Sequence, residues 1–243
     1  MRAWHWGSIL LILACAVPAA ATELVAPAAP ADSLAAGPVS FEWSATYASR
    51  YSFQGIDYSE GRPVLQPEAT ANVHGLALGV WINSDQTRRE LNEIDASLQR
   101  SGTRGPLAYT VGYTHLSYPN RDWSPTHELV TDLELDRWPH PSLSVHWDVG
   151  EGQGGYWAIG GAHEFTLHPG RTLGLGARVF AQQHYYGMTG IPAIETSVIA
   201  GLPWAGMSIQ PALARQWAWE NGQFRGDLAT RPGWVFSITL SPR

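Results

Sequence analysis

Residues 128–136 read Glu128-Leu129-Val130-Thr131-Asp132-Leu133-Glu134-Leu135-Asp136, and residues 142–149 read Ser142-Leu143-Ser144-Val145-His146-Trp147-Asp148-Val149. In the first run Leu129, Thr131, Leu133 and Leu135 alternate with Glu128, Asp132, Glu134 and Asp136. In the second, Leu143, Val145, Trp147 and Val149 alternate with Ser142, Ser144, His146 and Asp148. Successive side chains of a strand point to opposite faces, so each run has one apolar and one polar face. Between them lies the tight link Pro139-His140-Pro141.

The same period of two appears at both ends of the chain, in Phe41, Trp43, Ala45 and Tyr47 against Glu42, Ser44 and Thr46, and in Trp234, Phe236, Ile238 and Leu240 against Val235, Ser237 and Thr239. No window after residue 38 carries a helical stripe. About twelve such segments are expected, near 39–53, 62–71, 75–84, 90–101, 105–118, 125–138, 141–150, 154–166, 171–185, 191–201, 206–218 and 231–241. Many have ten or more residues, whereas strands of globular proteins usually have about five or six. A tilted strand crossing a bilayer needs about 9–11 residues. The expectation is an all-β protein, a transmembrane antiparallel up-and-down β-barrel of about 12 strands.

Connection lengths support this independently. Short links follow the even-numbered segments: Asn72–Gly75, Ser101–Gly105, Pro139–Pro141, His168–Gly170 and Leu202–Ala205. Those after odd-numbered segments are mostly longer and more polar, as in Ile56–Gly61, Ser84–Glu90, Pro119–Ser124 and Glu220–Asp227. Short turns on one side and longer loops on the other mark outer-membrane barrels. Tyr51, Phe53, Tyr118, Trp123, Tyr185, Tyr186, Trp217 and Trp219 are expected near the loop ends. Phe41, Trp43, Trp138, Trp157, Phe165, Trp204 and Trp234 are expected nearer the turn ends or within the apolar band. A soluble sandwich would account for neither the strand lengths nor the alternation of loops.

Composition narrows the class further. Of 243 residues, 44% are hydrophobic and 15% charged, the net charge is −6, and every one of the 15 basic residues is arginine. That argues against a nucleic-acid partner. Residues 1–21 carry Arg2, an apolar run from Ile9 to Val17 and Ala19-Ala20-Ala21, the pattern of a secretory signal peptide, and 22–38 read as an Ala/Pro-rich linker before a barrel over 39–243. The single cysteine, Cys15, falls in the leader, where Ile12-Leu13-Ala14-Cys15 also offers a lipoprotein box. Partners expected from this reading are outer-membrane lipid and small solutes, with a monomer in the bacterial outer membrane and no cofactor.

The segment from Ser49 to Ser59, Ser-Arg-Tyr-Ser-Phe-Gln-Gly-Ile-Asp-Tyr-Ser, followed by Pro63-Val64-Leu65-Gln66-Pro67, resembles the TorF family of putative porins, also called the Gcw-like family. The likeness continues in Gly79-Val80-Trp81, Glu93-Ile94-Asp95, Val111-Gly112-Tyr113 and Tyr118-Pro119; Gln54 stands where that family usually has arginine. The resemblance implies an outer-membrane porin-like barrel of unestablished solute, and no catalytic residues. The chain ends Leu240-Ser241-Pro242-Arg243, without the terminal aromatic common in such barrels.

If apolar residues face lipid, the alternate positions face the lumen: Glu42, Arg50, Glu68, Glu93, Asp95, Asp132, Glu134, Asp136, Asp148, Arg178 and Glu195. Arginine on the lipid face at the midplane costs about 2–4 kcal/mol, which forces this sorting. A mostly acidic wall favours small cationic or neutral solutes. The charges could instead pair and fill the lumen, giving a plugged structural or adhesive barrel whose loops Gln54–Gly61 and Glu220–Asp227 meet an outside partner. Ser144, His146 and Asp148 are the right types for a lipid-acting hydrolase, but neighbours on one strand face stand about 7 Å apart, too far for a relay, so no enzyme and no metal site is expected.

Overall fold

The computed structural model describes residues 39–218 and 233–243. The expected leader over 1–21, the linker over 22–38 and the loop Glu220–Asp227 lie outside the described residues.

Twelve strands form one closed wall: β1 (Ser40–Ala48), β2 (Val64–Val73), β3 (Leu76–Asp85), β4 (Glu90–Arg104), β5 (Leu107–Ser117), β6 (Thr126–Leu135), β7 (Pro141–Asp148), β8 (Gly154–His168), β9 (Arg171–Tyr185), β10 (Ala193–Trp204), β11 (Met207–Ala218) and β12 (Gly233–Pro242). Each pairs antiparallel with its sequence neighbours, and β1 closes the ring against β12 through Ala45↔Leu240 to Ala48↔Ser237. Closure satisfies the ladder bonds of every strand and leaves no edge, which a sheet in lipid requires.

Register fixes the two faces. Opposed residues of neighbouring strands share a face, so the row Glu68↔Trp81↔Asp95↔Leu116↔Thr126 turns inward, while Ala69↔Val80↔Ala96↔His115↔His127 turns outward. On the outward face Leu78, Val80, Leu98, Val111, Leu129, Leu175, Val198, Leu213 and Phe236 are all exposed. Such an apolar belt has no place in water and is the lipid-facing surface of an outer-membrane barrel. Aromatic residues border it: Phe41, Trp43, Phe165 and Trp204 toward the turns, and Tyr47, Tyr113, Trp147, Trp217 and Trp234 toward the loops. Trp234 therefore joins the loop-side group, because it opens β12 rather than closing it. The outward Arg215 sits over Trp217 and Trp234, 5.9 and 5.4 Å from their ring centres, where its stem is covered and its charge can reach the interface.

The turns are tight on one side. Two residues join β2 to β3, β4 to β5, β8 to β9 and β10 to β11, and residues 136–140 join β6 to β7. The main departure from the sequence reading is at the other end of β1. The expected strand over 39–53 stops at Ala48, and Ser52–Phe53 pairs instead with Ile56–Asp57 in a separate small ribbon. Tyr51, Phe53 and Tyr185 are buried inside the molecule, not set at the interface. Arg50, Tyr51 and Phe53 continue the alternation of β1, so pattern alone could not show where the chain leaves the wall.

Candidate functional site: the lumen and its inward loop

The first loop, residues 49–63, turns into the barrel. Ser52, Gln54, Ile56, Asp57 and Ser59 are almost wholly buried. The loop holds its own shape through bonds from its backbone amides: Tyr58 N donates to Tyr51 O (2.8 Å), Tyr51 N to the side-chain Ser59 Oγ (2.8 Å) and Ser59 N to the side-chain Asp57 Oδ1 (3.1 Å). Arg50 Nη1 lies 3.8 Å from Asp57 Oδ2, so Arg50 serves the base of this loop and does not extend β1.

Its tip is fastened to the β8–β11 wall. Gln182 Nε2 donates to Gln54 Oε1, Ser52 Oγ donates to Gln216 Oε1, and Phe53 meets Tyr156 edge-on at 5.1 Å. Gln216 Nε2 in turn donates to Glu195 Oε2 (2.6 Å), and Glu195 Oε1 accepts from Arg178 Nε (3.0 Å) and Nη2 (2.9 Å). The buried Arg178–Glu195 pair thus ends a polar chain that reaches the ribbon, and Arg178 also lies over the Phe180 ring at 4.8 Å. At the mouth Arg62 Nε donates to Asp85 Oδ2 (2.5 Å) and Arg62 Nη1 to Glu60 Oε2 (2.8 Å). The Arg62 guanidinium holds the exposed Glu60 carboxyl below its ordinary range. Arg121 Nη2 adds a bond to Tyr58 O (3.0 Å).

The opposite side of the lumen, β4–β7, is acidic. Glu93, Asp95, Glu128, Asp132, Glu134 and Asp148 share the inward face of these strands. Glu128 is the centre of a cluster on this face: its Oε2 is 2.9 Å from His146 Nδ1, its Oε1 accepts from Tyr185 OH (2.8 Å), and it stands opposite Asp148 in register. Asp148 Oδ1 accepts from Thr126 Oγ1 (2.7 Å), and Asp132 Oδ1 from Ser144 Oγ (2.5 Å). Ser144, His146 and Asp148 are therefore each bonded to a different partner across the neighbouring strand, Asp132, Glu128 and Thr126 in turn. Among the described residues no three His, Asp or Glu side chains are grouped to hold a metal ion.

By register and burial Glu42, Glu68, Glu93, Asp95, Asp132, Glu134, Asp148, Arg178 and Glu195 lie on the inward face of the wall. Asp136 does not: it sits in the 136–140 turn with 84% of its side chain exposed, beside His140 Nδ1 at 3.7 Å. Reasoning from sequence passed over Glu128, although it shares a face with Asp132, and over Asp85 at the mouth. The alternative reading of a plugged or adhesive barrel offered Gln54–Gly61 to an outside partner; in this loop Gln54, Ile56, Asp57 and Ser59 are turned inward and covered, while Glu60 and Gly61 are exposed. Among the described residues Arg178 is the one arginine that the strands aim inward. Burial is graded along the axis: loop-end residues such as Asn83, Gln182 and Gln216 are sealed, while Glu42, Glu68, Asp132 and Ser142 toward the turns are part-exposed.

Residues 32–136 match the family described as "Bacterial protein of unknown function (Gcw_chp)", and this stretch contains every segment on which the resemblance read from the sequence rests. No curated protein matches the chain. Among solved structures the chain is similar to the NanC porin, with a TM-score of 0.53 at 9% identity, covering 84% of this chain and 100% of that one. It also matches the COG4313 outer membrane channel from Pseudomonas putida F1, with a TM-score of 0.48 at 12% identity, over 88% of this chain and 98% of that one. At such identity the first likeness speaks for the fold alone, a barrel of the outer-membrane kind.

Proposed function

We propose that this barrel is a small outer-membrane channel that passes small cationic or neutral solutes, with the inward first loop as its constriction. The observation that carries the reading is the charge of the inward face: carboxylates at Glu42, Glu68, Glu93, Asp95, Glu128, Asp132, Glu134 and Asp148 against one strand arginine, Arg178, already paired with Glu195. A narrow pore lined this way holds a negative potential that concentrates cations and repels anions. Twelve strands lie between the barrels of about 8 strands that side chains fill and those of 16–18 that hold water channels, so a narrow path and small conductance are expected. Each of the twelve wall strands is paired on both sides, which suits a monomer.

The test is the purified full-length protein in a planar bilayer under a potassium chloride gradient. The reversal potential should take the sign of a cation-selective pore; an anion-selective potential would refute the charge argument. The sealed loop-end half favours a second reading, a barrel that stays closed and serves as a structural element of the membrane. Removal of residues 52–60 separates the two: a channel gains conductance, whereas a barrel without transport stays silent.

A further inference from the structure

Among the described residues Asp95 is the one buried carboxylate with both oxygens unpartnered, and Thr114 lies beside it with an unpartnered hydroxyl. Asp95 is 2% exposed with neither carboxylate oxygen in a hydrogen bond, and Thr114 is 2% exposed with its Oγ1 likewise unpartnered. Buried polar groups are nearly always satisfied, and an orphaned carboxylate is the costliest exception, so such a pair marks a place where a ligand or ion completes the bonding. The two lie on the same face of adjoining strands. Asp95 stands opposite Trp81 on one side and Leu116 on the other; Thr114, two residues from Leu116, stands opposite Ser97 and Glu128. Glu93 lies two residues from Asp95 on the same face.

Rings cover this stretch from the loop side. Tyr51 packs on Trp81 with ring centres 5.8 Å apart and on Tyr58 at 5.3 Å. Carboxylates set among tyrosine and tryptophan rings are the chemistry that recognises an organic cation, whose charge meets the acids while its carbon skeleton meets the rings. An inorganic divalent ion fits less well, since among the described residues no three carboxylates or imidazoles are grouped to ligate one.

We propose that Glu93, Asp95, Thr114 and Glu128, beneath the rings of Tyr51 and Trp81, form a binding site for the ammonium or guanidinium group of a small organic cation. The proposal rests on reading the lumen as a cation path, and it names the chemical class for which that path is selective. The site lies against the inward loop, so a solute bound here is held at the constriction.

Calorimetric titration of the detergent-folded full-length protein with agmatine chloride tests it. Saturable binding of one agmatine per chain is expected, weakened tenfold or more by Asp95→Asn and several-fold by Thr114→Val, with calcium chloride failing to compete. Absence of saturable binding, affinity unchanged by Asp95→Asn, or displacement by calcium at equal concentration would overturn it. Heat-modifiable gel migration reports whether each variant folds, and Glu128→Gln takes the place of Asp95→Asn if that variant does not. Because calorimetry needs no current, loss of the site is distinguishable from failure of the channel reading, which shows as absent potassium conductance with agmatine binding intact.

Discussion

Gly55 provides the sharpest test of the inward loop. It sits at the tip of the ribbon with φ +79°, and a Cβ added there would lie under 3.0 Å from the Ala193 Cβ at the start of β10. A non-glycine residue in this left-handed region costs roughly 1–2 kcal/mol. Relief of the overlap with a wall that is itself hydrogen-bonded costs about 1–3 kcal/mol more. Gly55→Ala should therefore weaken seating of the ribbon by about 2–5 kcal/mol, which at its lower limit multiplies the ratio of displaced to seated loop by about 30. Single-channel recording should show a higher open probability or a larger unitary conductance. Gly187 is the control: its φ is +77° but a Cβ there meets nothing within 4 Å, so Gly187→Ala carries the backbone cost without the wall contact. If Gly55→Ala and wild type conduct alike while both migrate as folded barrels, the loop is not the constriction.

Three further outcomes are expected. Arg178→Met leaves Glu195 buried beside Gln216 without its cation, and should lower stability by about 3–5 kcal/mol, read as a shift in the urea midpoint in lipid vesicles. Val80→Arg places a charge on the outward face halfway along β3, and should cost about 2–4 kcal/mol in the same assay, whereas an unchanged midpoint would contradict the lipid-facing assignment. The Glu60 carboxyl, held below its ordinary range by Arg62, stabilises the mouth fully above the ordinary carboxylate range and loses that contribution as pH falls through the lowered value. Conductance should therefore rise as the solution is taken below the ordinary range, and Glu60→Gln should flatten that response; because Glu60 is largely exposed, the effect should also shrink in high salt.

Most of the wall is legible in the amino-acid order, and the reason is local. In β6 and β7 every step of one residue moves a side chain between lipid and lumen, so the solvent on each face writes itself directly into the alternation of Leu129, Thr131, Leu133 and Leu135 with Glu128, Asp132 and Glu134. The turns are legible for the same reason: His74-Gly75 and Ala205-Gly206 must reverse the chain in two residues with both φ values positive, and glycine in the second place meets that demand.

The inward loop obeys no such rule. Tyr51 and Phe53 keep the period of β1 although they have left it, and a segment that leaves the wall is told apart only by what it touches: Gln182, Gln216 and Ala193, 128, 164 and 138 residues away from their partners in the chain. The faint sign in the sequence was a connection too long and too aromatic for a plain surface loop. Partnership within the lumen is non-local in the same way. Alternation assigns Arg178, Glu195, Asp95 and Glu128 to one face, but which carboxylate finds a cation and which is left waiting for one depends on strands brought together by closure of the ring. A period of two tells which way a side chain points; its neighbours across the barrel come from the register and from the loop folded between them.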